Sequence, residues 1–201
     1  MQTLKPIVLA SASKSRRALL EGAGVSFEAV ASDVDETEIK DAARAAGGDV
    51  AATALALARA KAKVVQATRP EALIIGADQM LDLDGAWFDK PVDIAAAARQ
   101  LGALRGRTHT LQSALIILGP AGEDWSHVEP ARLTMRNFSD DFLKTYLEDM
   151  GEDALKSVGG YFLEGIGVQL FERFEGDFFT VLGLPMTPLL GALRRFGALP
   201  E

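Results

Sequence analysis

A chain of 201 residues with 48% apolar side chains can bury a sizeable core, as one domain or as two closely packed lobes. Its 21 basic and 28 acidic residues leave a formal charge of -7, which argues against a surface that neutralises a long nucleic acid; any bound nucleotide is expected to be small. The absence of cysteine excludes disulfides, thiolate catalysis and cysteine zinc sites.

The opening "MQTLKPIVLASAS" has a five-residue apolar run, too short for the core of a signal peptide. No segment reaches the roughly 18 apolar residues of a membrane span, so a cytoplasmic protein without membrane contact is expected. Ile7 to Ala10 predict a buried strand that turns into a helix from about Lys14 to Ala23, with Ser13 as N-cap and Gly24 as stop. Arg16 and Arg17 then fall in the first turns of that helix, where the unpaired N–H groups and the peptide dipoles already create partial positive charge. An anionic ligand would resolve the conflict; pairing of one arginine with the acids near Asp33 is the alternative.

A second strand is expected near Phe27 to Ala31, and "SDVDETE" reads as an acidic loop whose Asp33, Asp35 and Glu36 are either solvated or ligands of a hard divalent ion. A long helix follows from about Asp49 to Thr68. Stepping 100° per residue from Val50 places Ala54, Leu57, Val64 and Thr68 on one stripe with Lys61 inside it, while Arg59 and Lys63 face away. Lys61 either snorkels to the surface or meets an anion in a cleft.

"ALIIGADQMLDLDGAWF" begins as a buried strand, Leu73 to Ile75, and continues into a hairpin that turns at Asp84-Gly85. Asp78 closes the apolar run, so its carboxylate is expected at the carboxyl end of an internal strand, with Gly76 and Ala77 leaving room beside it. It suits a turn cap, a general base or a metal ligand. Lys90, before Pro91, is a solubilising group or a phosphate contact.

A helix from about Ile94 to Leu104 precedes two long strands in "THTLQSALIILG" and "SHVEPARLTMRNF", joined through "PAGED". Ser139 caps a helix running to about Met150, the glycine-punctuated last third is expected to be strand-rich, and Pro188 to Phe196 close the chain as a helix. His109 and His127 lack HExxH spacing or a nearby serine elbow and are assigned structural roles. "GALRGRTH" lacks the spacing of a Walker motif, so Arg107 is expected in packing or a dimer contact. Early alternation of strands and helices followed by hairpins predicts an α/β fold, a mixed sheet flanked by helices.

In order along the chain, "LASASKSRRALL", "DVDET", "ALARAKAK", "IIGADQ", "DKPVD", "LRGRTH" and "GGYFLEGIGVQLFERFEGDFFTVLGLP" resemble the Maf family of nucleoside triphosphate pyrophosphatases. The resemblance spans nearly the whole chain as a single domain. It implies a two-lobed, inosine triphosphatase-like architecture around a central cleft, a homodimer, and hydrolysis of a nucleoside triphosphate to the monophosphate and pyrophosphate with a divalent Mg or Mn ion. It also implies substrate contacts at Ser11, Arg16, Arg17, Lys61 and Lys90, a catalytic acid at Asp78, and metal ligation by Glu36 and Asp78. Asp78 is a ligand or a proton acceptor on this basis. Gln79 and Glu164 are similar to the subgroup that acts on 7-methyl-GTP. Ser15, by contrast, stands where the pyrimidine-specific members have arginine and the 7-methyl-GTP members tryptophan; Lys14 replaces a usual proline and Asp89 a usual glycine. The family link to septum formation makes a nucleotide-binding regulator without turnover the second expectation, and a phosphomonoesterase the third.

Overall fold

The computed structural model describes residues 5–200, so the first four residues of the stretch weighed against a signal peptide lie outside it. In chain order the elements are β1 (Ile7–Ala10), α1 (Lys14–Gly22), β2 (Glu28–Ala29), α2 (Glu36–Ala45), α3 (Val50–Gln66), β3 (Leu73–Leu83) and β4 (Ala86–Phe88). They continue with α4 (Ile94–Leu104), β5 (Thr108–Leu118), β6 (Asp124–Met135), α5 (Asp140–Met150), β7 (Phe171–Glu175), α6 (Phe178–Val181) and α7 (Met186–Arg195). The seven strands form one mixed sheet in the order β2-β1-β3-β5-β6-β7, with β4 paired to β3. Two compact units divide the chain: residues 1–79, 113–129 and 183–201, and residues 80–112 and 130–182.

In the first unit β1 lies parallel to both β2 and β3, with Leu9 opposite Ile75. Strand β3 is buried on both faces, which is why it reads as a continuous apolar run. Alternate side chains Leu73, Ile75 and Ala77 join Leu9, Leu115, Leu189 and Leu193 in one core. Their neighbours Ile74, Gly76 and Asp78 point to the opposite face. That face meets α3 at Gly76: a Cβ built there would stand 2.2 Å from the Ala58 carbonyl oxygen and 2.8 Å from the Ala62 Cβ. Helix and strand touch backbone to backbone, so Lys61, between Ala58 and Ala62 in sequence, is brought beside Asp78. Gly76→Ala is therefore expected to lower stability by about 3 kcal/mol and to reduce activity as α3 is pushed off the strand, checked by urea unfolding alongside turnover.

Several expectations are corrected in this unit. The acidic run is a loop only as far as its N-cap: Ser32 to Asp35 precede α2, Asp35 caps it by accepting from the Thr37 and Glu38 amides, and Glu36 and Glu38 occupy its first turn, where the helix dipole favours acids. The second strand shrinks to Glu28–Ala29. On α3 the buried residues are Val50, Thr53, Ala54, Leu57, Ala58, Ala62 and Val65, whereas Val64 is 44% exposed and Thr68 lies beyond the helix, exposed. The stripe is set by contact with the sheet and drifts around the helix towards its end. Asp78 does not end a strand; it is sixth of the 11 residues of β3, which runs on to Leu83.

The second unit is built around Leu81, Leu101, Leu104, Leu111, Leu133, Tyr146 and Leu170. Its β3–β4 hairpin turns at Asp84 and Gly85, whose φ values of 52° and 88° suit a two-residue turn with both central residues left-handed. Arg107 pairs with Asp84 at 2.5 Å. The expected strand-rich last third is corrected as well: three short 3-10 turns at Gly151–Leu155, Val158–Gly160 and Ile166–Leu170 precede β7 and α6. Positive φ at Gly159 and Gly160, 79° and 74°, breaks the extended backbone that strands need. An apolar groove of about 700 Å³ runs between α4 and α5, lined by Ile94, Ala98, Leu143 and Leu147.

His109, 1% exposed on β5, places Nε2 2.7 Å from the Tyr161 hydroxyl, and burial lowers its pKa to about 4. The folded value lies below the unfolded one, so the unfolded chain takes up the proton first and stability is lost as pH falls from 6.5 towards 4. The expected loss is about 3 kcal/mol over that window. Urea melts of wild type and His109→Phe across this range check it; parallel slopes would refute the role. His127 stacks on Trp125 with ring centroids 5.9 Å apart and meets Glu129 at 3.0 Å.

Candidate active site

The first unit gathers most of the residues singled out above. Lys61 reaches from α3 to place Nζ 2.5 Å from Asp78 Oδ1 and 2.7 Å from Glu36 Oε1. Glu36, at the start of α2, also receives Lys40 one turn later, 3.3 Å away. Lys40 is not among the residues expected from the sequence, where its one signal is the i,i+4 spacing of acid and lysine in "ETEIK". Lys61 and Asp78 are both buried, with side chains 12% and 7% exposed, and Glu36 is half-buried.

Burial is the largest influence on Asp78 and raises its carboxyl above the ordinary value, against the pull of Lys61 and Arg16. Burial also pushes Glu36 up, but Lys61 and Lys40 outweigh it and hold that carboxyl below its ordinary value. The two acids therefore differ: a half-buried carboxylate kept ionised and a buried one biased towards holding a proton. Asp78 Oδ2 takes no bond from the protein among the described residues, which leaves it free to accept one.

Arg16 approaches the same strand from α1. Its Nη1 donates to the Ala77 carbonyl at 2.9 Å and to Ser11 Oγ at 3.3 Å, and its Nε donates to the Gly183 carbonyl at 2.9 Å. Burial lowers the Arg16 pKa, while Asp78 and Glu36 pull it back. The expected alternative, pairing with the acids near Asp33, is not adopted by Arg16. Arg17 is half-buried, and its side chain has no hydrogen-bond or ion-pair partner among the described residues. Ser13 caps α1 by accepting from the Arg16 amide, as its position predicts, and its own amide donates to Ser11 Oγ at 3.2 Å.

Gln79 donates from Nε2 to the buried Ser113 Oγ at 2.8 Å, a contact from β5 that no local pattern in the sequence signals. Ser15, also on α1, is half-buried. Lys90 and Glu164 belong to the second unit, where both are exposed, Lys90 just after β4 and Glu164 in the turn before Ile166. Around the Asp78 and Glu36 carboxylates stand three cations, Arg16 and Lys61 near Asp78 and Lys40 beside Glu36, in a protein whose charge is -7. A locally cationic cluster in an acidic chain suits an anionic ligand.

Two carboxylate oxygens, Glu36 Oε1 and Asp78 Oδ1, converge on the Lys61 ammonium. No group of three or more histidine, aspartate and glutamate side chains converges among the described residues. Two hard oxygen donors are what a magnesium site uses when substrate phosphates and waters complete the shell, so this pair fits such an ion. No described helix is long and apolar enough to cross a membrane.

The family description "Maf-like protein" matches residues 6–196. A 7-methyl-GTP pyrophosphatase of Rhizobium etli is 49% identical over 193 residues, covering 96% of this chain and 97% of its own. Two nucleoside triphosphate pyrophosphatases match as fully: that of Paramagnetospirillum magneticum is 50% identical over 96% of this chain and 99% of its own, and that of Granulibacter bethesdensis 47% identical over 96% and 98%. A solved nucleoside-triphosphatase, a dITP/XTP pyrophosphatase of Mycobacterium abscessus, aligns over 96% of this chain and 94% of its own with a TM-score of 0.43 and 17% identity, too distant to bear on the site.

Proposed function

We propose, on the premise that this chain belongs to the Maf-like protein family, that it is a nucleoside triphosphate pyrophosphatase whose chemistry is centred on Asp78. The observation that carries the assignment of Asp78 is its buried carboxylate, bonded to Lys61 through one oxygen while the other takes no bond from the protein among the described residues.

Cleavage between the α- and β-phosphates needs neutralised phosphate charge, a positioned water and a stabilised leaving pyrophosphate. Lys61 supplies positive charge next to Asp78 and holds its carboxylate in one orientation. Asp78 Oδ2 accepts the proton of the attacking water; burial, which raises the carboxyl, makes it a better acceptor than an exposed aspartate. Ser11, whose Oγ accepts from the Ser13 amide and from Arg16, has its hydroxyl proton left to donate to a phosphate oxygen. The Arg17 guanidinium, without a protein partner among the described residues, pairs with the phosphate chain. Glu36 and Asp78 are the residues that would hold a Mg or Mn ion, which when bound neutralises phosphate charge and acidifies water. The parts of Lys90 in phosphate binding, of Gln79, Glu164 and Ser15 in base choice, and the homodimer rest on sequence resemblance. That resemblance makes 7-methyl-GTP the first substrate to try.

The test is a nucleotide panel that includes 7-methyl-GTP, GTP, dTTP and UTP with Mg or Mn, read separately for pyrophosphate and orthophosphate. Pyrophosphate with the matching monophosphate is expected. Orthophosphate alone would make the protein a phosphomonoesterase, and tight binding without product would make it a nucleotide-binding regulator.

A further inference from the structure

We infer that Arg16 is a positioning residue, acting on Asp78 through the backbone rather than by gripping substrate; this rests on the pyrophosphatase reading above. Its guanidinium does not pair directly with Asp78. Instead it donates to the carbonyl of Ala77, the residue before Asp78, and to the carbonyl of Gly183, both at 2.9 Å. The planar fork of an arginine spans two acceptors in a fixed relation, which a lysine ammonium on a flexible stem does not reproduce.

Gly183 shows how closely that fork is held. Its φ is +86°, and a Cβ built there would lie 3.4 Å from both Nε and Nη2 of Arg16 and 3.6 Å from the Gln79 side-chain carbon. On the other side of Asp78, Gln79 is tied to the buried Ser113. The peptide before Asp78 and the side chain after it are thus both anchored, and the aspartate has little freedom to turn. The contrast with Arg17, one residue on and with a guanidinium that has no partner among the described residues, assigns the two adjacent arginines different work: one orients the strand and the other is free for the phosphates.

The experiment compares wild type, Arg16→Lys and Gly183→Ala for kcat, KM and the affinity of an α,β-methylene nucleotide that cannot be cleaved. Arg16→Lys keeps the charge and loses the two-carbonyl link, and Gly183→Ala strains the same link through the left-handed backbone at residue 183 while leaving the arginine in the sequence. Both are expected to lower kcat by about 10- to 100-fold. KM and analogue affinity are expected to change less than about threefold, since uniform binding is retained. A wild-type kcat in Arg16→Lys would overturn the inference, and so would analogue affinity weakened tenfold or more with kcat kept, which would mark a phosphate ligand. If Gly183→Ala does not fold, Arg16→Lys decides alone. Wild type that releases no pyrophosphate would end the pyrophosphatase reading instead, a separate outcome visible in the same assay.

Discussion

Asp78→Asn is expected to release pyrophosphate at least about 100-fold more slowly than wild type, the usual scale for losing a positioned general base, while melting at no lower temperature. Asparagine keeps an oxygen for the Lys61 bond but does not accept the water proton. The stability half follows from burial. The folded carboxyl lies above its ordinary value of 3.8, so as pH rises the unfolded chain ionises first and folding stability declines through the folded value. Ionising Asp78 thus costs the folded protein more than the unfolded chain, and the neutral amide removes that cost. Calorimetry at pH 7 beside a pyrophosphate assay checks both halves. Turnover near wild type would reject Asp78 as the acceptor, and a melting point lowered by several degrees would reject the account of its burial.

Lys61→Met is expected to cost about 3 kcal/mol of stability and nearly all activity, because it strands the buried Asp78 without the cation 2.5 Å away. Asp78→Asn introduced into that background should recover most of the loss, giving a coupling of about 2 kcal/mol between the two positions. Glu36 contributes less, since it is half-buried and retains Lys40 when Lys61 is gone. Urea unfolding of wild type, both single variants and the double variant measures the cycle. Additive effects would mean that Lys61 merely snorkels and that its contact with Asp78 carries no energy.

The corrections share one cause. "SDVDETE" contains an N-cap and two first-turn acids, all visible in the sequence, yet a run of acids is equally at home in a solvated loop, and only the meeting of Glu36 with Lys61 and Lys40 distinguishes them. A charged residue usually marks the end of a buried run, which is why the sequence places Asp78 at a strand's carboxyl end; it lies mid-strand because a lysine from another element compensates it. Periodicity gives α3 a buried face but not its centre, and contact at Gly76 sets the centre.

By itself the sequence determined what local chemistry determines: the caps at Ser13 and Ser139, the Asp84-Gly85 turn, the long β5–β6 pair and the motifs of the family. Those depend on residues a few positions apart, so their spacing is enough. Tertiary structure alone decided that Lys61 bridges Glu36 and Asp78, and that Arg16 spends its donors on the carbonyls of Ala77 and Gly183, 61 and 167 positions away in the chain. Backbone carbonyls carry no signature in the sequence, and which of them comes within reach of a given side chain is settled only when helix and strand pack together.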